Sequence, residues 1–173
     1  MLSVRELHRI AQTLPPDRLA QQLGPFVLLE RPPDEQRAHA ALMLGAKRTV
    51  AVQRDRSGQD ELSMLLELET LMVATVPPLA PGAKLLVGRL PDCDLVLDDP
   101  SVSKHHATLT WDGAGGGVMV QDLGSSNGTW INGERLHLAM AVRDGDNLSF
   151  GDFEFCFFAS ATLVEKLTLK RAP

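Results

Sequence analysis

Three short stretches of the 173-residue sequence carry side chains suited to holding an anion: Gly88-Arg89, Ser101-Val-Ser-Lys-His-His106 and Asp122-Leu-Gly-Ser-Ser-Asn-Gly-Thr129. Arg89 offers a planar fork of donors that matches phosphate oxygens in pairs, and Gly88 permits a close backbone approach beside it. Pro100 sets a turn, which leaves Ser101, Ser103 and Lys104 in a loop that presents two hydroxyls and an ammonium together. In the third stretch Asn127-Gly128 is a turn dipeptide, and a plain hairpin would account for it. A hairpin does not account for Ser125, Ser126 and Asn127 recurring close to an Arg-bearing loop and a Ser/Lys-bearing loop. Each stretch alone is a weak signal, since an arginine at a strand end is usually a solvated surface charge.

Other chemistry finds little support. Adjacent residues in an extended chain point to opposite faces, so His105-His106 does not chelate one ion. Cys93 and Cys156 are isolated thiols without CxxC or metal-ligand spacing, and read as small buried hydrophobes in a reducing compartment. His8 and His39 are single histidines on predicted helices. The first seventy residues contain no nucleophile with a base, no Gly-rich phosphate loop and no metal-ligand pattern. The expectation is a protein with no catalytic residue, no metal and no cofactor.

The elements that position the three stretches are short strands. Lys84 to Val87, Leu95 to Leu97, Ala107 to Trp111, Val118 to Val120, Thr129 to Ile131, Asn147 to Phe150 and Glu154 to Phe158 recur at short intervals with turn residues between them. That spacing predicts an antiparallel β-sandwich with its loops held at one end. Upstream, Ser3-Val-Arg-Glu6 is a capping box that opens a helix, which Pro15-Pro16 ends. A second helix from Pro16 to Leu23 stops at Gly24-Pro25. Phe26-Val-Leu-Leu29, bounded by Pro25 and Pro32-Pro33, reads as an edge strand. A helix from Glu35 to Leu44, a strand from Thr49 to Val52 and a turn from Arg54 to Gly58 are expected next. Asp60 to Thr70 is ambiguous between helix and strand; helix is preferred, with a strand from Leu71 to Val76. Pro77-Pro78-Leu-Ala-Pro81-Gly82 is a stiff junction, and Ala161 to Arg171 a terminal helix. The expected organisation is a small α+β domain over 1–71, the sandwich over 72–160 and a helix or tail over 161–173.

Gly88-Arg89, the Ser-x-x-His of Ser103-Lys-His-His106 and Asn127-Gly128, in that order, resemble the three signature elements of the forkhead-associated (FHA) domain. Cys93 to Ala107 and Val142 to Gly151 resemble the same family, and the likeness covers roughly residues 72–160. It implies a mainly β, FHA-type sandwich that binds phosphothreonine in partner proteins. It further implies that Arg89, Ser103 and Lys104 hold the phosphate with help from Ser126. Asn127 would hold the partner's backbone, and His106 would buttress the loops, with Gly88 and Gly128 conformational.

Composition narrows the partner. Lys/Arg against Asp/Glu is 9 to 10 in residues 1–75 and 8 to 12 in residues 76–173, within a total of −5. The acidic second part disfavours bulk binding to nucleic acid or to an anionic membrane, while one phosphate can still be captured locally. Arg5, Glu6 and Arg9 interrupt any signal-peptide core, and no uncharged run is long enough to span a bilayer, so a soluble cytoplasmic protein is expected. The functional expectation is an adaptor that binds a Thr-phosphorylated protein downstream of a Ser/Thr kinase. Two alternatives are an intramolecular or self-associating module that captures its own phosphorylated Thr13, Thr49, Thr70 or Thr75, and an enzyme activity within residues 1–70.

Overall fold

The computed structural model describes residues 1–32, 57–113 and 117–169, with only the backbone of 57–60. The expected helix 35–44 and strand 49–52 lie outside these residues. In order, the elements are β1 (Leu2–Ser3), α1 (Val4–Thr13), α2 (Pro16–Leu23), β2 (Phe26–Glu30), α3 (Ser57–Leu65), β3 (Met72–Thr75), β4 (Lys84–Gly88), β5 (Leu95–Val96) and β6 (Ala107–Trp111). They continue with β7 (Val118–Asp122), β8 (Thr129–Ile131), β9 (Glu134–Arg135), β10 (Met140–Val142), β11 (Asn147–Phe150), β12 (Phe153–Ala159) and α4 (Ser160–Leu169). The strands form a seven-stranded sheet, β1-β3-β2-β12-β11-β8-β9, and a five-stranded sheet, β10-β7-β6-β4-β5. Pairing is antiparallel except between β4 and β5.

Alternation builds the sandwich: Val118 and Val120 are buried while Met119 and Gln121, which alternate with them, are exposed, the period-two pattern of a sheet with one covered face. One core lies between the sheets, where Phe26, Leu28, Val87, Leu109, Val120, Phe150, Phe155 and Phe157 meet. A second core lies on the other face of the larger sheet, where Val27, Leu29, Val73, Cys156 and Phe158 pack under the four helices of the described residues.

This two-sided burial corrects the expectation for Phe26–Glu30. It is an interior strand between β3 and β12, not an edge. Its prolines flank the paired residues, and its side chains alternate between the two cores, which is why the run is continuously apolar. The sheet is therefore continuous across the boundary expected near residue 71. Elsewhere among the described residues the expected helices α1, α2 and α4 and the expected strands form close to the predicted bounds, and Asp60 to Thr70 begins as helix. The capping box is made by the Ser3 amide donating to Glu6 Oε2 at 2.7 Å and the Glu6 amide donating to Ser3 Oγ at 3.3 Å. Three strands had not been expected: β1, β9 and β10. No helix among the described residues is long and apolar enough to cross a membrane.

Candidate functional site

The turn after β4, the β5–β6 loop and the β7–β8 loop carry the three stretches, and the register of β4, β6 and β7 in one sheet sets them side by side. Gly88 ends β4. A Cβ there would stand 2.2 Å from the Lys104 carbonyl oxygen and 2.9 Å from Cys93 Sγ, so only glycine lets the β5–β6 loop lie this close. That approach ties Arg89 to the loop: its amide donates to the Ser103 carbonyl at 3.0 Å and its Nε to the Val102 carbonyl at 3.3 Å. The guanidinium remains exposed, as does Lys104.

His106 is fully buried and points inward, whereas His105 is exposed and faces Asp92 at 3.1 Å. The Ser103 amide donates to His106 Nδ1 at 3.0 Å, and His106 Nε2 lies 3.0 Å from the Gly128 carbonyl. Those two partners require the neutral tautomer with the proton on Nε2. Burial pushes the imidazole pKa down, against smaller opposing effects of the Gly128 carbonyl and Asp122. Phe150 holds the ring edge-on, with centroids 5.7 Å apart.

The β7–β8 loop closes on this framework. The Ser126 amide donates to Ser103 Oγ at 3.0 Å. Asn127 Nδ2 donates to the Ser101 carbonyl at 2.8 Å, using one of its two amide hydrogens. Gly128 sits at φ +86, where a side chain would be strained, and its carbonyl also accepts from the Gly151 amide. The structure thus brings together Gly88, Arg89, Ser103, Lys104, His106, Ser126, Asn127 and Gly128 on adjoining loops.

Sequence reasoning gave no role to Asp122 or Arg135, and it read Ser101 as presenting its hydroxyl beside Ser103 and Lys104, whereas that hydroxyl is engaged within the protein. Asp122 Oδ1 accepts the Gly124 and Ser125 amides at 2.8 and 2.9 Å, and Oδ2 accepts the Ser125 and Thr129 hydroxyls at 2.6 Å each. Burial alone would raise its carboxyl pKa; the hydrogen bonds from Ser125, Thr129 and Gly124 outweigh that and hold it below the usual value. Ser101 Oγ donates to Asp99 at 2.6 Å and accepts from the Asp152 amide at 3.0 Å, which anchors the turn that receives Asn127. Arg135 lies over the Trp130 ring at 5.8 Å and beside Gly128. The Asp-x-Gly-Ser spacing of an Asx turn was the available signal for Asp122.

Among the threonines expected as internal ligands, Thr13 ends α1 with its hydroxyl on the Ile10 carbonyl, Thr70 is exposed in the turn before β3, and Thr75 lies within β3. Thr49 is outside the described residues. Two surface recesses, about 580 Å³ beside β9 and β10 and about 410 Å³ between α2 and α4, are lined by other residues than those of the loop site.

The β-sandwich thus sets an Arg, a Ser-Lys pair and a Ser-Asn-Gly turn side by side on loops at one end of its sheets. Residues 85–151 match the family model of the FHA domain, and the chain is an FHA-domain protein. Over 146 residues it is 31% identical to the transcriptional regulatory protein EmbR of Mycobacterium tuberculosis, an alignment covering 84% of this chain and 36% of that protein. It is 41% identical over 70 residues to the glycogen accumulation regulator GarA of Mycolicibacterium smegmatis, covering 40% of this chain and 42% of that one. The chain thus spans about a third of the length of EmbR. Among solved structures, M. tuberculosis EmbR in complex with a low-affinity phosphopeptide superposes with a TM-score of 0.42 at 40% identity, covering 44% of this chain and 20% of that chain.

Proposed function

We propose that the loop end captures a phosphothreonine segment of a partner protein, and that the chain serves as an adaptor downstream of a Ser/Thr kinase. FHA domains as a class bind phosphothreonine peptides. The observation that carries the reading here is the Ser126–Ser103–His106 chain of hydrogen bonds together with the bonds from Arg89 to the Ser103 and Val102 carbonyls, because they place hydroxyl and cation before any ligand arrives. Such preorganisation lowers the ordering cost of binding.

In this reading Arg89 and Lys104 pair with a phosphate that carries roughly −1.5 to −2 charges at pH 7, and the hydroxyls of Ser103 and Ser126 donate to its oxygens. Asn127, with one amide hydrogen on Ser101, offers its other N–H and its Oδ1 to the partner's backbone. His106 positions Ser103 without touching the ligand, and Gly88 and Gly128 allow the loops to meet. No bond is made or broken. The net charge of −5 disfavours bulk binding of polyanions while leaving local capture of one phosphate possible.

The test is binding to an oriented peptide library carrying phosphothreonine, phosphoserine or threonine. Selective binding to phosphothreonine, weakened more than tenfold (~2–5 kcal/mol) in Arg89→Ala, is the expected result. Undiminished binding by a folded Arg89→Ala protein would remove the assignment.

A further inference from the structure

Beside the phosphate loops the fold assembles a donor set that is absent from the linear spacing. Asp92 and Cys93 follow β4, and His105 precedes β6. Their ligand atoms all lie within 4.8 Å of one another, and His105 Nε2 is already 3.1 Å from Asp92 Oδ2. We propose that Asp92, Cys93 and His105 form a zinc-binding site.

The argument is one of geometry and ligand chemistry. Two donors on one tetrahedral zinc, at about 2.3 Å for sulfur and about 2.0–2.1 Å for nitrogen, stand about 3.5 Å apart. The set therefore needs side-chain adjustment of about an ångström, within rotamer freedom for His105 and Asp92, whose side chains are 47% and 63% exposed. Cys93 supplies a rigid base: its thiol is buried and donates to the Lys104 carbonyl at 3.4 Å. Thiolate, imidazole and carboxylate together suit zinc over hard cations, and three protein donors leave a fourth position for water. On binding, the Cys93 S–H bond breaks, a Zn–S bond forms and the proton passes to solvent.

Loading would cross-link the turn after β4 to the end of the β5–β6 loop, flanking Arg89 and Lys104. The site does not depend on phosphothreonine recognition, since none of its donors is among the residues assigned to phosphate.

The test uses the whole chain, titrated with Co²⁺ as an optical probe and then with Zn²⁺ as competitor. One equivalent of cobalt giving thiolate-to-cobalt charge-transfer absorption, discharged by zinc, is expected. The absorption should vanish in Cys93→Ser, survive in Cys156→Ser, and need about tenfold or more cobalt in His105→Ala. Near-UV circular dichroism of the two tryptophans checks that each variant is folded. Absence of the band in the folded wild-type chain, its loss with Cys156→Ser instead, or unchanged affinity in His105→Ala would overturn the site.

Discussion

The amide of Ser126 donates to Ser103 Oγ over 3.0 Å, joining two loops 23 residues apart in the chain. Neither residue is placed by its own strand alone: Ser103 is held by the buried His106 and Ser126 by a loop folded on Asp122. The placement of both residues is therefore sensitive to His106 and Asp122, which lie behind them.

His106→Ala should leave the Ser103 amide without its partner, remove one of the two donors to the Gly128 carbonyl and open a cavity against Phe150. A loss of about 2–4 kcal/mol is expected from the two effects together. Urea unfolding measures it, and a variant as stable as the parent would contradict the buttress.

The same imidazole sets a pH dependence. Burial lowers its folded pKa below the unfolded value of 6.5, so the unfolded chain binds the proton more readily. The contribution is complete above about pH 6.5 and is lost as pH falls through the lower folded value. Thermal midpoints should drop on acidification across that window, and His106→Ala should flatten this part of the profile.

Asp122→Asn keeps the shape but removes the charge and one strong acceptor oxygen, while two hydroxyls and two amides still need partners. Destabilisation of about 1–3 kcal/mol is expected, with weaker phosphopeptide binding although Arg89 is untouched. Because the folded carboxyl titrates below its usual 3.8, the stability it supplies is present above that value and is lost as pH falls through the folded pKa. Chemical denaturation of both proteins at neutral and at acid pH should show the difference between them shrinking in acid.

The strand Phe26–Glu30 gives a paired test. Leu28 faces the core between the sheets and Leu29 the core under the helices, so each change to alanine should cost about 2–5 kcal/mol. A strand at the edge with one wet face would lose stability at only one of the two positions. Equal sensitivity in urea titrations supports the interior placement.

How much of this was legible in the sequence follows from the range of the interactions. The loops from Gly88 to Thr129 were readable because local chemistry dictates them: Pro100, Asn127-Gly128 and the alternation of β6 and β7 act within a few residues. The capping box at Ser3 and Glu6 was readable for the same reason. The interior placement of Phe26–Glu30 was not, since flanking prolines and a short apolar run fit an edge equally well, and only the distant helices and β12 decide it. Glu134–Arg135 and Met140–Val142 are too short and too exposed to leave a period. Asp122 carries only a local Asx-turn signal in sequence; the rest of its role depends on the Thr129 hydroxyl turning back toward it. Gly88 was readable as a site of close backbone approach, but the partner in that approach, the Lys104 carbonyl 16 residues downstream, was not.

The most direct test of the central claim is an amide chemical-shift titration of the isotope-labelled chain with a phosphothreonine peptide and with its unphosphorylated counterpart. Shifts concentrated at Arg89, Ser103, Lys104, Ser126 and Asn127 with the phosphopeptide, and none with the plain peptide, are predicted. Shifts centred on the recess beside β9 and β10, or identical responses to both peptides, would contradict the account.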